Sequence, residues 1–364
     1  MFSVVLLGLV DTNYCFTVIN VGSYSALSRI SSLVEPLQIK LMDINLLSKA
    51  AFFLFLVIIG IPANSYIVLK FIFIKMVEKK FLPTNIILTA LALMNLLIVF
   101  SRVILQYLNA IGVENLLDDT QCKLSVYTYR VSRSMSISTT TFLSCYQCIL
   151  IAPSSGIWSY LKQKVTPNVL AITICLLVIN IILDPSSGLY AQAKKNSTAS
   201  PYTLYLVYCN MAFGTYNNYI ANGSLFATRD FLLVGLMALA STYIVYILIK
   251  HKRSVKDIRS SSRAQGKSAE DKASRAVIML VILYVLLFGF DNCMWIYTLT
   301  LTRVTNDMND ARIALACSYS ALSPIVIIAN NPKLQPRFKW LEQRKTLNEN
   351  HKKVVDGNLK VASE

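Results

Sequence analysis

Long apolar runs separated by short polar connections set the pattern of this chain. Seven runs are mainly apolar: residues 50–74, 85–106, 122–151, 167–183, 225–249, 277–298 and 312–329. About 20 such residues cross the roughly 30 Å hydrocarbon core of a bilayer. The runs are too long and too uniformly apolar for barrel strands, which alternate polar with apolar positions. They are therefore predicted as helices, since lipid offers no partner to an unpaired backbone amide. The third run is the most polar, with Ser132, Ser134, Ser136, Ser138, Thr139, Thr140 and Thr141, and is placed in the bundle interior. The fold class expected is an all-α membrane protein, a bundle of seven transmembrane helices. Residues 1–49 form an N-terminal segment outside, 50–329 the bundle, and 330–364 a cytoplasmic tail.

Composition supports that reading. Of the 364 residues 15% are charged and 55% hydrophobic, and mean hydropathy is +0.52. Soluble domains carry about a quarter charged residues. The net charge of +16 does not call for nucleic acid, because the cations sit between the apolar runs. One set of alternating connections, with the C-terminal tail, holds 22 Lys and Arg, and the other set holds 7. By the positive-inside rule the rich side is cytoplasmic, so the N-terminus is outside and the C-terminus inside a plasma membrane. The basic third inner loop could also touch anionic lipid.

Cys122, at the outer end of the third span, and Cys209, in the long second outer loop, face an oxidising compartment where a disulfide can persist. The sequons at Asn196 and Asn222 fall in the same loop and mark candidate glycosylation sites. Residues 1–10 are apolar but lack the basic start of a signal peptide. Met42 runs directly into the first span and is the expected working start. Residues 1–41 are then a disordered tail or a gene-model extension.

Seven helices tied by a disulfide from the third helix to the second outer loop match the plan of the G-protein-coupled receptors. Asn64 stands in the first helix as the main, rhodopsin-like group has it. Other positions depart from that group: Asn95 replaces its sodium-binding Asp, Tyr146-Gln147-Cys148 replaces Asp-Arg-Tyr, and Ser323-Pro324-Ile-Val-Ile327 replaces Asn-Pro-x-x-Tyr. The sixth helix has no proline. Instead the chain resembles the vomeronasal type 1 receptors, and among them the fish olfactory receptors related to class A. The residues carrying the likeness begin with Cys122-Lys-Leu, the run from Tyr129 to Thr140, Gln147, Ile151-Ala-Pro-Ser154 and Trp158. They continue with the run from Thr228 to Met237, His251-Lys252, Ser274-Arg275-Ala276 and Ser323-Pro324. The likeness spans residues 42–333. It implies a chemosensory receptor for a small-molecule pheromone or odorant, signalling through an inhibitory-type heterotrimeric G protein.

Ionisable side chains inside a membrane are costly and mark functional positions or pair with one another. Here they are Arg102, Arg130, Arg133, Arg229, Asp230 and Asp291, all in the outer half of their spans. Arg130, for example, lies about 12 Å below Cys122 at ~1.5 Å per residue. Four Arg face two Asp, and a surplus of guanidinium forks suits a carboxylate, sulfate or phosphate. The ligand expected is an amphipathic organic anion with its charge near Arg130 or Arg133, which at i, i+3 can share one helical face. Tyr127, Tyr129, Phe290 and Trp295 are the candidate apolar flanks. The competing reading makes these charges structural salt bridges, with Arg102 and Arg229 snorkelling to the interface.

At the inner end, Tyr146, Gln147 and Cys148 occupy the expected G-protein contact. Without an arginine there, the resting state is held by other contacts. The stretch from Pro332 to Trp340 reads as a short amphipathic helix on the inner surface. No metal-ligand spacing, phosphate loop or nucleophile motif occurs, and His251 and His351 both lie in basic segments, so neither an enzyme nor a cofactor is expected. A bitter-taste-like receptor or a secondary transporter are the alternatives, although no inverted repeat is visible.

Overall fold

In a computed structural model, residues 24–78, 82–113, 116–153, 156–184, 189–194, 203–206, 208–256, 264–300, 306–331 and 334–335 are described, with side chains for most of them. By contacts the chain divides into two units, Met1–Lys49 and Ala50–Glu364. The first is described from Tyr24 onward and is helical there. Residues 24–41, expected as a tail, are thus helix, in a stretch that contains no glycine and a single proline.

The helices are α1 (Tyr24–Glu78), α2 (Pro83–Ala110), α3 (Asp119–Ile151), the short inner helix α4 (Ile157–Val165), α5 (Val169–Leu183), α6 (Tyr216–Lys256), α7 (Ala264–Thr300) and α8 (Asn306–Asn330). Among the described residues six helices are long and apolar enough to cross a membrane, with α4 and α5 counted as one. The exception is α3. Its seven Ser and Thr between 132 and 141 lower its hydropathy, yet all of them are buried. Two of them spend their hydroxyls on α3 itself: Thr140 and Thr141, like Ser144 a turn further on, each donate to the carbonyl four residues back. That bonding lets a polar helix stand in the bundle centre, packed chiefly against α2 and α6.

Helix α6 starts nine residues before its apolar run, and α7 starts thirteen before. Hydropathy marks the lipid-crossing part of a helix and not its polar extensions. The Asn222 sequon accordingly lies in the first turns of α6, not in a loop. In α2, residues Val99–Val103 form a π-helical turn, a one-residue insertion that turns everything beyond it relative to the helix before. Gly60 of α1 packs there: an added Cβ would stand 3.0 Å from Val99 Cγ2 and 3.4 Å from the Ala321 backbone of α8.

The largest core cluster lies toward the end of the bundle away from the Cys122–Cys209 disulfide and includes Phe71, Ile87, Leu91, Leu143, Tyr146, Met237 and Leu280. Over the outer end sits a small antiparallel sheet of β1 (Ala191–Ala193), β2 (Thr203–Tyr205) and β3 (Cys209–Ala212), with β3 in the middle. The Cys122–Cys209 disulfide fastens β3 to the start of α3. Asp119 accepts from the Ala193 amide at 2.6 Å, and Tyr208 donates to the Val113 carbonyl at 2.7 Å. Burial raises the Tyr208 phenol above its ordinary pKa, so it stays a donor at any physiological pH.

Candidate ligand-binding site

Arg130 and Arg133 diverge. Positions i and i+3 are neighbours on a helix but differ by about 60° in direction, and here that angle straddles a boundary between two clusters. Arg130 turns to the sheet and α6: its Nη2 donates to Met211 Sδ at 3.3 Å and its guanidinium lies 4.6 Å from the Phe226 ring centre. Arg229 lies over the same ring at 5.0 Å. It also pairs with Asp230 at 3.0 Å and with Asp184 at 3.5 Å. Asp184, directly after α5, is 0% exposed and also accepts from Ser134 Oγ at 3.2 Å. Arg229 thus pairs with both carboxylates, Asp184 and Asp230, whereas Arg130, over the same ring, pairs with neither and its Nη1 is buried without a hydrogen-bond partner.

Arg133 turns the other way, toward α7 and α8. It pairs with Asp291 at 3.3 Å, and its Nη1 reaches Tyr129 Oη at 3.5 Å. Arg312, at the outer end of α8, stands 3.8 Å from the other oxygen of Asp291. Arg102 lies over the Tyr129 ring at 5.7 Å from its centre. It is 7% exposed and faces the bundle, so it does not snorkel; the π-helical turn on which it sits sets that direction. A column thus runs Arg102, Tyr129, Arg133, Asp291, Arg312: three guanidinium groups and one carboxylate. Asp310, nearby on α8, accepts from Gln106 at 2.7 Å.

Beneath the Arg133–Asp291 pair is a narrow pocket between α3, α7 and α8, lined among others by Ser136, Tyr284, Phe288 and Tyr319. Its floor is hydrogen-bonded and uncharged. Ser136 donates to Asn95 Oδ1 at 2.9 Å, Asn95 donates to Ser323 Oγ at 3.0 Å, and Thr140 and Tyr319 share a bond of 2.8 Å. Asn64 donates to the Gly60 and Ser320 carbonyls beside it. Aromatic walls come from Tyr284, stacked on Phe288 and edge-on to Tyr319.

Of the predicted site residues, Arg133, Tyr129, Asp291 and Arg102 come together, and Arg130 and Asp230 join the second cluster. Tyr127 and Phe290 do not line the cavity: Tyr127 donates to the Ile181 carbonyl on α5, and Phe290 is 55% exposed on the outer face of α7. The Trp295 side chain and Asn196 lie outside the described residues. Sequence reasoning missed Asp184, Arg312, Tyr284 and Tyr319. An aspartate closing a wholly apolar run was the available signal for Asp184; the tyrosines carried none beyond lying in spans.

At the inner end Tyr146, Gln147 and Cys148 are all buried. Cys148 packs with Ala240 and Ile244, and Trp158 of α4 stacks on Tyr243 of α6 with ring centres 5.4 Å apart. In this conformation the three residues face helices, not an open groove. After α8, Leu334 is buried and its carbonyl accepts from Tyr66, while most of the expected surface helix at 332–340 lies outside the described residues.

A helical bundle with a disulfide-fastened outer sheet over a cavity between its helices is the architecture of a G-protein-coupled-type membrane receptor. Residues 47–339 match the sequence profile of the Vomeronasal organ pheromone receptor family, and the chain belongs to that family. It is 38% identical to Olfactory receptor class A-like protein 1 of Danio rerio over 82% of this chain and 93% of that protein. It is 27% identical to Vomeronasal type-1 receptor 1 of Gorilla gorilla gorilla and to Vomeronasal type-1 receptor 1 of Homo sapiens, each over 86% of this chain and 88% of the relative. The protein is a multi-pass chemosensory receptor.

Proposed function

We propose that this receptor binds a small amphipathic organic anion, a pheromone or odorant, in the cavity under Arg133 and Asp291. Binding activates a heterotrimeric G protein of the inhibitory type at the inner end. The receptor sits in the plasma membrane with its N-terminus outside, and Asn222 and Asn196 carry glycans.

One observation supports the anion: beside the cavity two cations, Arg133 and Arg312, share the single carboxylate of Asp291. A planar guanidinium offers paired donors that match a carboxylate, sulfate or phosphate. Arg133 is the favoured partner over Arg130, because it lines the cavity, whereas Arg130 turns away to Met211 and Phe226. Tyr284, Phe288 and Tyr319 suit the apolar body.

The test is a panel of acidic and neutral odorants on cells expressing the chain with a promiscuous G protein. Acids are expected to activate. Arg133→Gln, at matched surface level, is expected to weaken an acidic agonist about 10-fold or more, the scale of a lost charged hydrogen bond. Arg130→Gln is expected to weaken it less. An acidic agonist that keeps its potency on Arg133→Gln overturns the reading. Loss of signalling through native G proteins after toxin modification of the inhibitory class tests the partner.

A further inference from the structure

Among the described residues Arg102 is a buried cation without a counter-ion. Its Nε is buried with no hydrogen-bond partner, and no carboxylate among the described residues stands within ion-pair distance. The guanidinium rests on the neutral ring of Tyr129, whose hydroxyl is already approached by a second cation, Arg133. The nearer carboxylates are engaged: Asp291 by Arg133 and Arg312, Asp310 by Gln106. With 7% exposure Arg102 cannot draw compensation from bulk water. An uncompensated buried charge is among the most unfavourable arrangements a membrane protein can hold. The π-helical turn at Val99–Val103 nevertheless directs it inward, and such turns recur at functional sites.

We infer that Arg102 binds a small inorganic anion, chloride in extracellular fluid, at a site separate from that of the organic ligand. Tyr129 separates Arg102 from Arg133, and Arg102 does not line the main cavity. The surroundings are small and apolar: Tyr129 packs with Phe53, Ile98, Val99, Val103 and Cys317. A monatomic anion needs only the guanidinium edge and has no apolar body to place, so it suits these walls better than an amphipathic organic anion. Chloride then supplies the charge that the protein omits and joins α2 to α3 and α8.

The test uses the purified full-length receptor without odorant, its melting temperature read in sodium chloride and in sodium gluconate at equal ionic strength. At about 150 mM, near physiological ionic strength, chloride is expected to raise the midpoint by roughly 2–4 °C, saturably, as a ligand selective for the folded state does. Arg102→Gln is expected to abolish the difference, and Arg133→Gln to keep it. No chloride effect on the wild type, or the same effect in Arg102→Gln, overturns the inference. So does loss of the effect in Arg133→Gln alone, which would place the anion in the organic ligand's cavity. If Arg102→Gln does not fold, Arg102→Lys takes its place. Its half-saturating chloride concentration is expected to rise several-fold, and an unchanged value overturns the inference equally.

Discussion

Asp184 illustrates how much one buried carboxylate can decide. Fully enclosed after α5, it gathers Ser134 from α3 and Arg229 from α6, so three helices meet on one side chain. Asp230 also serves Arg229, but from the adjacent residue of the same helix, and so joins nothing new. Removing Asp184 leaves Arg229 with Asp230 but breaks the charged bonds that join α3 and α6 to the end of α5, at about 1.5–3 kcal/mol. Asp184→Asn is therefore expected to lower the melting temperature by roughly 2–4 °C in a protein of this size. Asp230→Asn should lower it by clearly less, since Arg229 keeps Asp184. Equal losses in the two variants would mean that Arg229 does not distinguish its partners. Asp184 also shows where residue-scale reading fails. It follows the fourth span, and reading only the apolar runs leaves it in a loop. The divergence of Arg130 and Arg133 was hidden for another reason: sequence fixes the angle between two side chains but not where neighbouring helices meet it.

Elements were more legible than residues, because lipid imposes one requirement along a whole helix. Each of the seven apolar runs became a helix. The third was recognisable despite its hydroxyls, whose backbone bonds let it be polar and central together. Helix lengths were not legible, since the polar extensions of α6 and α7 are held by backbone bonding and leave no hydropathy signal. Nor was the π-helical turn in α2, whose sequence Val-Phe-Ser-Arg-Val has nothing to distinguish it from ordinary helix. Its effect is nonetheless testable. Phe100, within the turn, is exposed on the lipid side. Deleting it restores a regular helix and rotates all that follows by about 100°, the angle per residue. Arg102 would leave Tyr129, and Gln106 would leave Asp310. The deletion is expected to cut surface expression severely, whereas Phe100→Ala, which keeps the register, is expected to express normally. A deletion tolerated as well as the substitution would show that the turn positions nothing.

At the scale of the whole molecule the remaining question is which end faces the cell exterior, and the charges argue it independently of the site. Nine Lys and Arg lie between Lys250 and Arg275, and Lys162 and Lys164 sit on α4 at the same end of the bundle. The disulfide, the sheet and the first turns of α6 with Asn222 sit at the other. Basic residues resist translocation, while disulfides and glycans form only on the translocated side. Two unrelated chemistries thus support the orientation proposed above. An epitope tag at residue 1 or inserted before residue 46 is expected to label on intact cells, and a tag after residue 364 only after permeabilisation. Glycosidase treatment should increase gel mobility, and Asn222→Gln should remove part of that shift. Both tags accessible from the same face would exclude an odd number of crossings, and with it the cavity open to the exterior on which ligand entry depends.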